Sequence, residues 1–348
     1  EAVQNSLIPA FENIITVFTD LKGTGKNRMG ICNYEGGKEY YEYLLKTYAG
    51  TSKSADEVID MLDNELKNLM TDIYQVYFMN KDAYEYFASN YDDIFAATNE
   101  MSASDMIERI MEDASENYPD IGTIHYQAEP LDKSLETIMD DVLAYYMAPA
   151  IDDPDNNLIR YNGMHTDGMW TTLAHEGYPG HMLQNAYYMS TDPEPVRTLM
   201  SFLGYKEGWA MYYDSLYYYQ YEEESYGDAI ADLYKLNDEM SYLIMGRIDL
   251  GVNYEGWSLD ETKQYLTEQG MDAGSADELY YTLVGDPAVY QSYSTGYYEL
   301  KELRDYAEEK LGDAFDVKEF NTIILETGPC QYDILKKQID KKLQGNVI

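Results

Sequence analysis

The sequence predicts a mainly α-helical fold with a small β-sheet, and three observations predict it. Apolar residues recur at helical spacing through most of the 348 residues. Residues 121–162 alone change to short extended runs, cut by Pro130, Pro149 and the polar turn Asp152–Asn156. Hydrophobic residues make up 45% of the chain, enough for a sizeable core despite a net charge of −40.

Taken in order, Leu7–Phe18 carries an apolar helical pattern that ends at the glycine-rich break Lys22–Gly25. That break lacks the preceding strand and the spacing of a phosphate loop. Lys38–Tyr48 places Tyr40, Tyr41, Leu44, Leu45 and Tyr48 on helical positions. Ser54–Asn80 opens with a serine cap near Glu57 and carries Val58, Met61, Leu62, Leu66 and Met70. Lys81–Ala97 and Ser104–Asp113 continue in this style. Ile121–Tyr126, Val142–Met147 and Asn157–Asn162 are the expected strands. Beyond Pro193 and Pro195 the reading is helical from Val196 to Met245, broken at Gly251–Ser258. It resumes at Leu259–Gln269, Asp272–Leu283, Gly296–Lys310, Val317–Thr327 and Gln331–Leu343. The expected organisation is an N-terminal helical segment, 1–36, packing on one main domain, 37–348.

Charge narrows the function. Twenty-four basic against 64 acidic residues repel phosphate backbones, so nucleic acid is excluded as a partner, and anionic membrane surfaces are disfavoured. No stretch approaches the ~20 apolar residues of a membrane span. Tyrosine is in large excess, 38 against 8 phenylalanines, which suits a secreted protein. Cys32 and Cys330 are the only cysteines. They can pair across the chain or stay as thiols, and free thiols are the expectation.

The chemistry concentrates in Leu173–Gln184, L-A-H-E-G-Y-P-G-H-M-L-Q. Two of the chain's four histidines, His175 and His181, bracket Glu176. Imidazoles beside a carboxylate suit a divalent metal and a base acting on water. The spacing differs from the helical H-E-x-x-H signature. Six residues in a regular helix leave two side chains about 120° apart. Pro179 deprives the His175 carbonyl of its helical partner, and Gly177 and Gly180 permit unusual backbone angles. Two readings follow: a widened turn at Tyr178–Gly180 that swings His181 beside His175, or a Pro-Gly turn ending one helix between two unrelated histidines. His125 and His165 read as ordinary polar residues.

H-E-G-Y-P-G-H-M-L-Q resembles the H-E-x-x-P-G-H-x-x-Q motif of the bacterial domain-of-unknown-function family 885. That family is similar to glutamate-zinc metallopeptidases such as thermostable carboxypeptidase Taq. The resemblance covers roughly Gly37 to Leu343, beginning at a G-x-x-Y-Y match at Gly37–Tyr41. It favours the widened turn, and it implies a helical metallopeptidase-like domain with the small sheet beside the zinc helix.

On that resemblance, Zn2+ is the expected cofactor. Glu207-Gly208-Trp209-Ala210-Met211-Tyr212 is similar to the family's E-G-W-A-x-Y, which implies Glu207 as the third ligand beside His175 and His181. Glu176 stays off the metal as general base. Pro287, Tyr293 and Gly296 fall in register with P-G-Q-A-x-x-Y-x-x-G, which makes Tyr293 the candidate to polarise the scissile carbonyl. Leu303-Arg304 match the family's L-R, and Arg304 is a candidate for a substrate carboxylate. Metallopeptidases commonly hold substrate along an edge strand, and Leu158–Tyr161 is the candidate, with Tyr161 at the substrate. The sequence departs from the pattern at Asn253 and Asn321, where the family has His. It also has Met245 where the family has Arg; Arg247, two residues on, is the substitute candidate for substrate binding.

The sequence thus points to a secreted or cell-surface zinc-dependent hydrolase of peptide or small amide bonds, with membrane attachment only through a lipid anchor outside this chain. The alternatives are a non-catalytic, peptide-binding cell-surface lipoprotein domain that keeps the fold, and a domain that uses metal only for stability.

Overall fold

The computed structural model describes residues 1–25, 28–95, 101–140, 142–164, 169–212 and 225–345. His165 lies outside them, as does much of the helical reading between Tyr212 and Ser225.

The helices start where the sequence supplies caps. Ser54 and Glu57 form a reciprocal capping box for Ala55–Met79, and Ser258 and Glu261 do the same for Leu259–Glu268. Ala55–Met79 buries Val58, Met61, Leu62 and Leu69, and packs along the long helix Gly227–Leu250. One core gathers Trp170, Leu173, Tyr205 and Trp209 with residues from both ends of the chain. A second, around Ile244, Ile248, Leu266, Tyr280 and Leu283, lies on the other side of Gly227–Leu250.

The N-terminal segment divides. Residues 30–32 dock on the main body: Ile31 N–H donates to Asn253 Oδ1 at 3.1 Å. The helix Ile8–Leu21 buries none of its side chains, and Phe11, Ile15 and Phe18 are exposed. Both cysteines are free thiols. Cys330 is buried, and that burial pushes its thiol up to about 12.

The sheet has three strands: β1 (Tyr126–Pro130), β2 (Ala144–Met147) and β3 (Asn157–Tyr161). The first strand therefore begins where the sequence reading had it end. Pro130, expected as a breaker, closes β1 at a sheet edge, where a missing N–H is tolerated. The order is β1-β3-β2, with β1 parallel and β2 antiparallel to β3. This corrects the expected substrate strand. Leu158–Tyr161 is central and paired on both sides, so it has no free backbone to offer. The edge beside the histidine motif belongs to β2.

Two other boundaries moved. Gly227–Leu250 does not stop at Gly251 but continues through a wide turn, Gly251–Glu255, before Gly256 at φ 90° ends it. Asn253 inside that turn donates to Asp249 and to the Leu283 carbonyl, so a buried hydrogen-bond network holds a stretch that glycine content marks as a break. The stretch from Val196 holds separate helices, Pro195–Thr198 and Leu203–Ala210.

Candidate metal centre

The histidine motif folds as two helices, Met169–Glu176 and His181–Ser190, around a broken turn that contains a cis Tyr178–Pro179 bond. Without an N–H at Pro179, the chain re-forms its hydrogen bonds further along. Gly177 N–H still reaches the Leu173 carbonyl at 2.7 Å, whereas Gly180 N–H reaches back six residues to Ala174 at 3.0 Å. A Cβ at Gly180 would lie 1.9 Å from the His175 carbonyl oxygen, so only glycine fits there.

The turn brings the two rings together. Their centroids are 4.7 Å apart and their planes nearly perpendicular, at 85°. Glu207 arrives from Leu203–Ala210, its Oε2 3.3 Å from His175 Nε2 and 3.5 Å from His181 Nε2. One ligand atom from each residue lies within 4.8 Å of the others.

The glutamate helix is tied to the motif at several points. Gln184, the last residue of the motif, donates to the Tyr205 carbonyl at 3.2 Å. Trp209 Nε1 donates to the Pro179 carbonyl at 2.9 Å. His175 hydrogen-bonds the backbone of Ala210. Gln184 and Trp209 do structural work the sequence reading did not assign, although both sit inside the quoted motifs.

The electrostatics favour a cation. Burial alone depresses the His175 imidazolium, but the Glu207 and Glu176 carboxylates outweigh it and raise its pKa. Burial likewise opposes ionisation of Glu207, yet the two imidazoles hold its carboxyl down at about 2. Glu207 Oε2 is buried and has no well-aligned hydrogen bond among the described residues. A buried anionic oxygen facing two imidazole nitrogens is a nitrogen-nitrogen-oxygen donor set of the kind zinc takes. The field that draws a proton to His175 draws a divalent cation too, so the residues fit the metal.

Glu176 points differently. Its Oε2 accepts the Tyr146 backbone N–H from β2 at 2.8 Å. Tyr146 Oη in turn donates to Asn157 Oδ1 at 2.6 Å and accepts from Asn185 Nδ2 at 3.1 Å.

Tyr293 lies near enough to the cluster to feel the Glu207 charge, and a close helix crossing places it there. A Cβ at Gly208 would lie 2.5 Å from the Gly296 backbone, so Leu203–Ala210 and Ser294–Leu311 nearly touch there. Glu207 precedes one glycine and Tyr293 lies one turn before the other. Burial, then the Glu207 charge, Tyr242 and Glu176, raise the Tyr293 phenol pKa. Tyr242, absent from the sequence reading, stacks on Tyr293 with centroids 6.1 Å apart and an interplanar angle of 13°.

The arginines and Tyr161 have partners of their own. Arg247 is engaged by Asp63 at 3.1 Å and Glu255 at 2.6 Å, and lies over the Trp257 ring. Arg247 is itself nearly buried while both carboxylates face solvent in part, and these ion pairs occupy the guanidinium that was expected to meet substrate. Arg304 Nε contacts Glu308 at 2.7 Å and its Nη1 donates to Tyr212 Oη at 2.9 Å, so it is held by its own surroundings. Tyr161 ends the central strand, its carbonyl taken by Leu131 N–H at 2.8 Å.

Fold and site together define a mainly helical domain carrying a His-His-Glu cluster of metal-ligating type. The chain belongs to the family of bacterial proteins of unknown function called DUF885, which matches residues 1–339. No curated protein matches it. It is similar in structure to a candidate lipoprotein from Colwellia psychrerythraea, with a TM-score of 0.81 and 19% identity over 99% of this chain and 61% of that one. It is also similar to a candidate lipoprotein of unknown function from Shewanella oneidensis, with a TM-score of 0.67 and 16% identity over 94% and 63%. These likenesses show the fold, and the chain spans less than two thirds of either protein.

Proposed function

We propose that the protein is a zinc-dependent hydrolase of peptide or amide bonds, of the glutamate-zinc metallopeptidase type, working at the cell surface. The observation that carries this reading is the convergence of His175, His181 and Glu207 within 4.8 Å, with Glu176 next to a ligand. The lipoprotein description of both structural relatives supports the location.

His175, His181 and Glu207 would hold the cation. It would supply Lewis acidity toward a carbonyl and toward water. Glu176 is the proton carrier: its carboxylate takes a proton from the attacking water and delivers it to the leaving nitrogen. The Tyr146 amide keeps one oxygen of Glu176 occupied, which leaves the other for that proton. Tyr293 keeps its proton at neutral pH, since burial and the neighbouring carboxylates disfavour the phenolate. Its hydroxyl is therefore a donor toward a carbonyl oxygen as charge develops there.

The test combines metal analysis with Glu176→Gln. The purified chain is expected to hold about one zinc and to cut a peptide pool; Glu176→Gln should keep the metal and lose cleavage. A chain that binds no divalent cation, or a variant that cleaves as well as the parent, overturns the reading.

A further inference from the structure

A groove of about 610 Å³ opens along His181–Ser190, and the Met189 that lines it is about two helical turns past His181. Its walls are the segment before β1, the β2–β3 connection and the C-terminal half of His181–Ser190, with Pro193–Leu199 beyond. Its position follows from helix geometry. His181, Asn185 and Met189 recur every four residues, so they share one face, each step about 40° around and 6 Å along. His181 belongs to the cluster, Asn185 bonds Tyr146, and Met189 lines the groove. Tyr146 is also the residue whose amide holds Glu176. A chain of hydrogen bonds thus runs from Glu176 through Tyr146 to Asn157, which lines the groove, and Met189 lies about 12 Å along the helix from His181.

The lining has a definite chemistry. Ile121, Ile151, Met189 and Leu199 offer apolar surface, and Ile151 and Leu199 remain 64% and 78% exposed. Asp155 and Asp192 supply acid at the groove, and among the described residues His125 is its one basic side chain, with no lysine or arginine. Asp192 sits in the left-handed region at φ 52°, its N–H on the Met189 carbonyl at 3.2 Å. Aspartate tolerates this conformation better than most residues.

We infer that this groove is a substrate subsite that takes a stretch of peptide with an apolar and a basic side chain. The inference rests on the hydrolase reading and adds a substrate class to it. Extended peptide advances about 3.3 Å per residue, so the groove meets the substrate about three to four residues from the cleaved bond. Substrates are then peptides of some length rather than dipeptides. The acid at the groove selects cationic residues over anionic ones, in keeping with a net charge of −40.

The experiment measures binding to zinc-loaded Glu176→Gln protein by fluorescence anisotropy. The probe is a fluorescein-labelled alanine octapeptide scanned with single leucine, lysine or glutamate residues, beside a labelled tripeptide. Leucine and lysine at the far positions are expected to tighten binding, glutamate to weaken it, and the tripeptide to bind least. Leu199→Asp, an exposed change, should weaken the leucine peptide about ten-fold. Asp192→Asn, which the left-handed turn accepts, should weaken the lysine preference. Zinc affinity, read by competition with a chromophoric chelator, should stay unchanged in both variants. Affinities indifferent to peptide length, or indifferent to both substitutions, overturn the inference. The two readings fail separately. Turnover of short and long peptides alike by the zinc-loaded parent leaves the hydrolase and removes the groove. Length-dependent binding without turnover by the zinc-loaded parent keeps the groove and removes the hydrolase.

Discussion

Trp209 donates its indole N–H to the carbonyl of Pro179 across 2.9 Å. The donor lies two residues past Glu207, and the acceptor sits in the turn that breaks the histidine helix. The bond therefore ties the carboxylate's helix to the imidazoles' turn. Tyr118 packs edge-on against both Trp209 and Tyr178, at 6.0 and 5.7 Å, and closes the contact from outside. The candidate metal donors are thus fixed by a shared core, and stability and metal affinity should move together here.

Trp209→Phe keeps most of the apolar volume and removes the donor. The buried Pro179 carbonyl then loses its partner, at a cost of about 1–3 kcal/mol. Zinc affinity should fall about ten-fold or more, because an outer-shell support is lost. Urea denaturation and chelator competition on one preparation check both, and a variant that loses stability but binds zinc normally would separate the turn from the site.

Gly180→Ala and Gly208→Ala should damage the cluster from opposite sides. The first drives a methyl into the His175 carbonyl, the second into Gly296 and the Tyr332 hydroxyl. Neither backbone can yield cheaply, so each should cost more than about 2 kcal/mol. Thermal unfolding measures the loss. Gly204, in the same helix, is equally hemmed in by the Ala49 backbone and should behave alike.

The meeting of the two histidines was legible because it is local. His175, His181, Pro179 and Gly180 lie within seven residues, and the missing amide of proline with the freedom of glycine states the broken turn outright. Glu207 and Tyr293 came from motif likeness alone, since one acid among 64 and one tyrosine among 38 carry no signal of their own. The crossing of Gly208 over Gly296 that joins them is a contact between distant segments. For the same reason β3 was mistaken for an edge: strand order depends on pairing, and Asn157–Tyr161 looks alike at the centre or the rim of a sheet. Arg247 was misread because Asp63, its partner, lies 184 residues away.

Zinc should stabilise the folded chain by mass action. A ligand at a hundred times its dissociation constant adds about 2.7 kcal/mol when it binds only the native state. Thermal melts with and without zinc should show that shift in the parent and in Glu176→Gln. Glu207→Gln and His181→Ala should abolish it. A full shift in Glu207→Gln would remove Glu207 from the ligand set.

Asp249 gives the fold a pH dependence of uncommon sign. It is fully buried, and that burial raises its carboxyl to about 7 despite hydrogen bonds from Asn253, the Ala288 amide and Tyr41. An unfolded aspartate titrates near 3.9. Between those values the folded chain holds a proton that the unfolded chain has released. Stability from this group is therefore complete below about pH 4 and declines as pH rises through 7, at up to about 1.4 kcal/mol per unit. Asp249→Asn should flatten that slope in urea titrations taken from about pH 4 to 7, a window set by the two values above. The same network holds Ala288, whose φ of 70° is strained for a residue with a Cβ. Ala288→Gly should relieve about 1 kcal/mol of that strain and leave the pH slope as it was. The two substitutions then part the carboxyl's proton from the turn it grips, and a slope unchanged by Asp249→Asn assigns the pH dependence to another group.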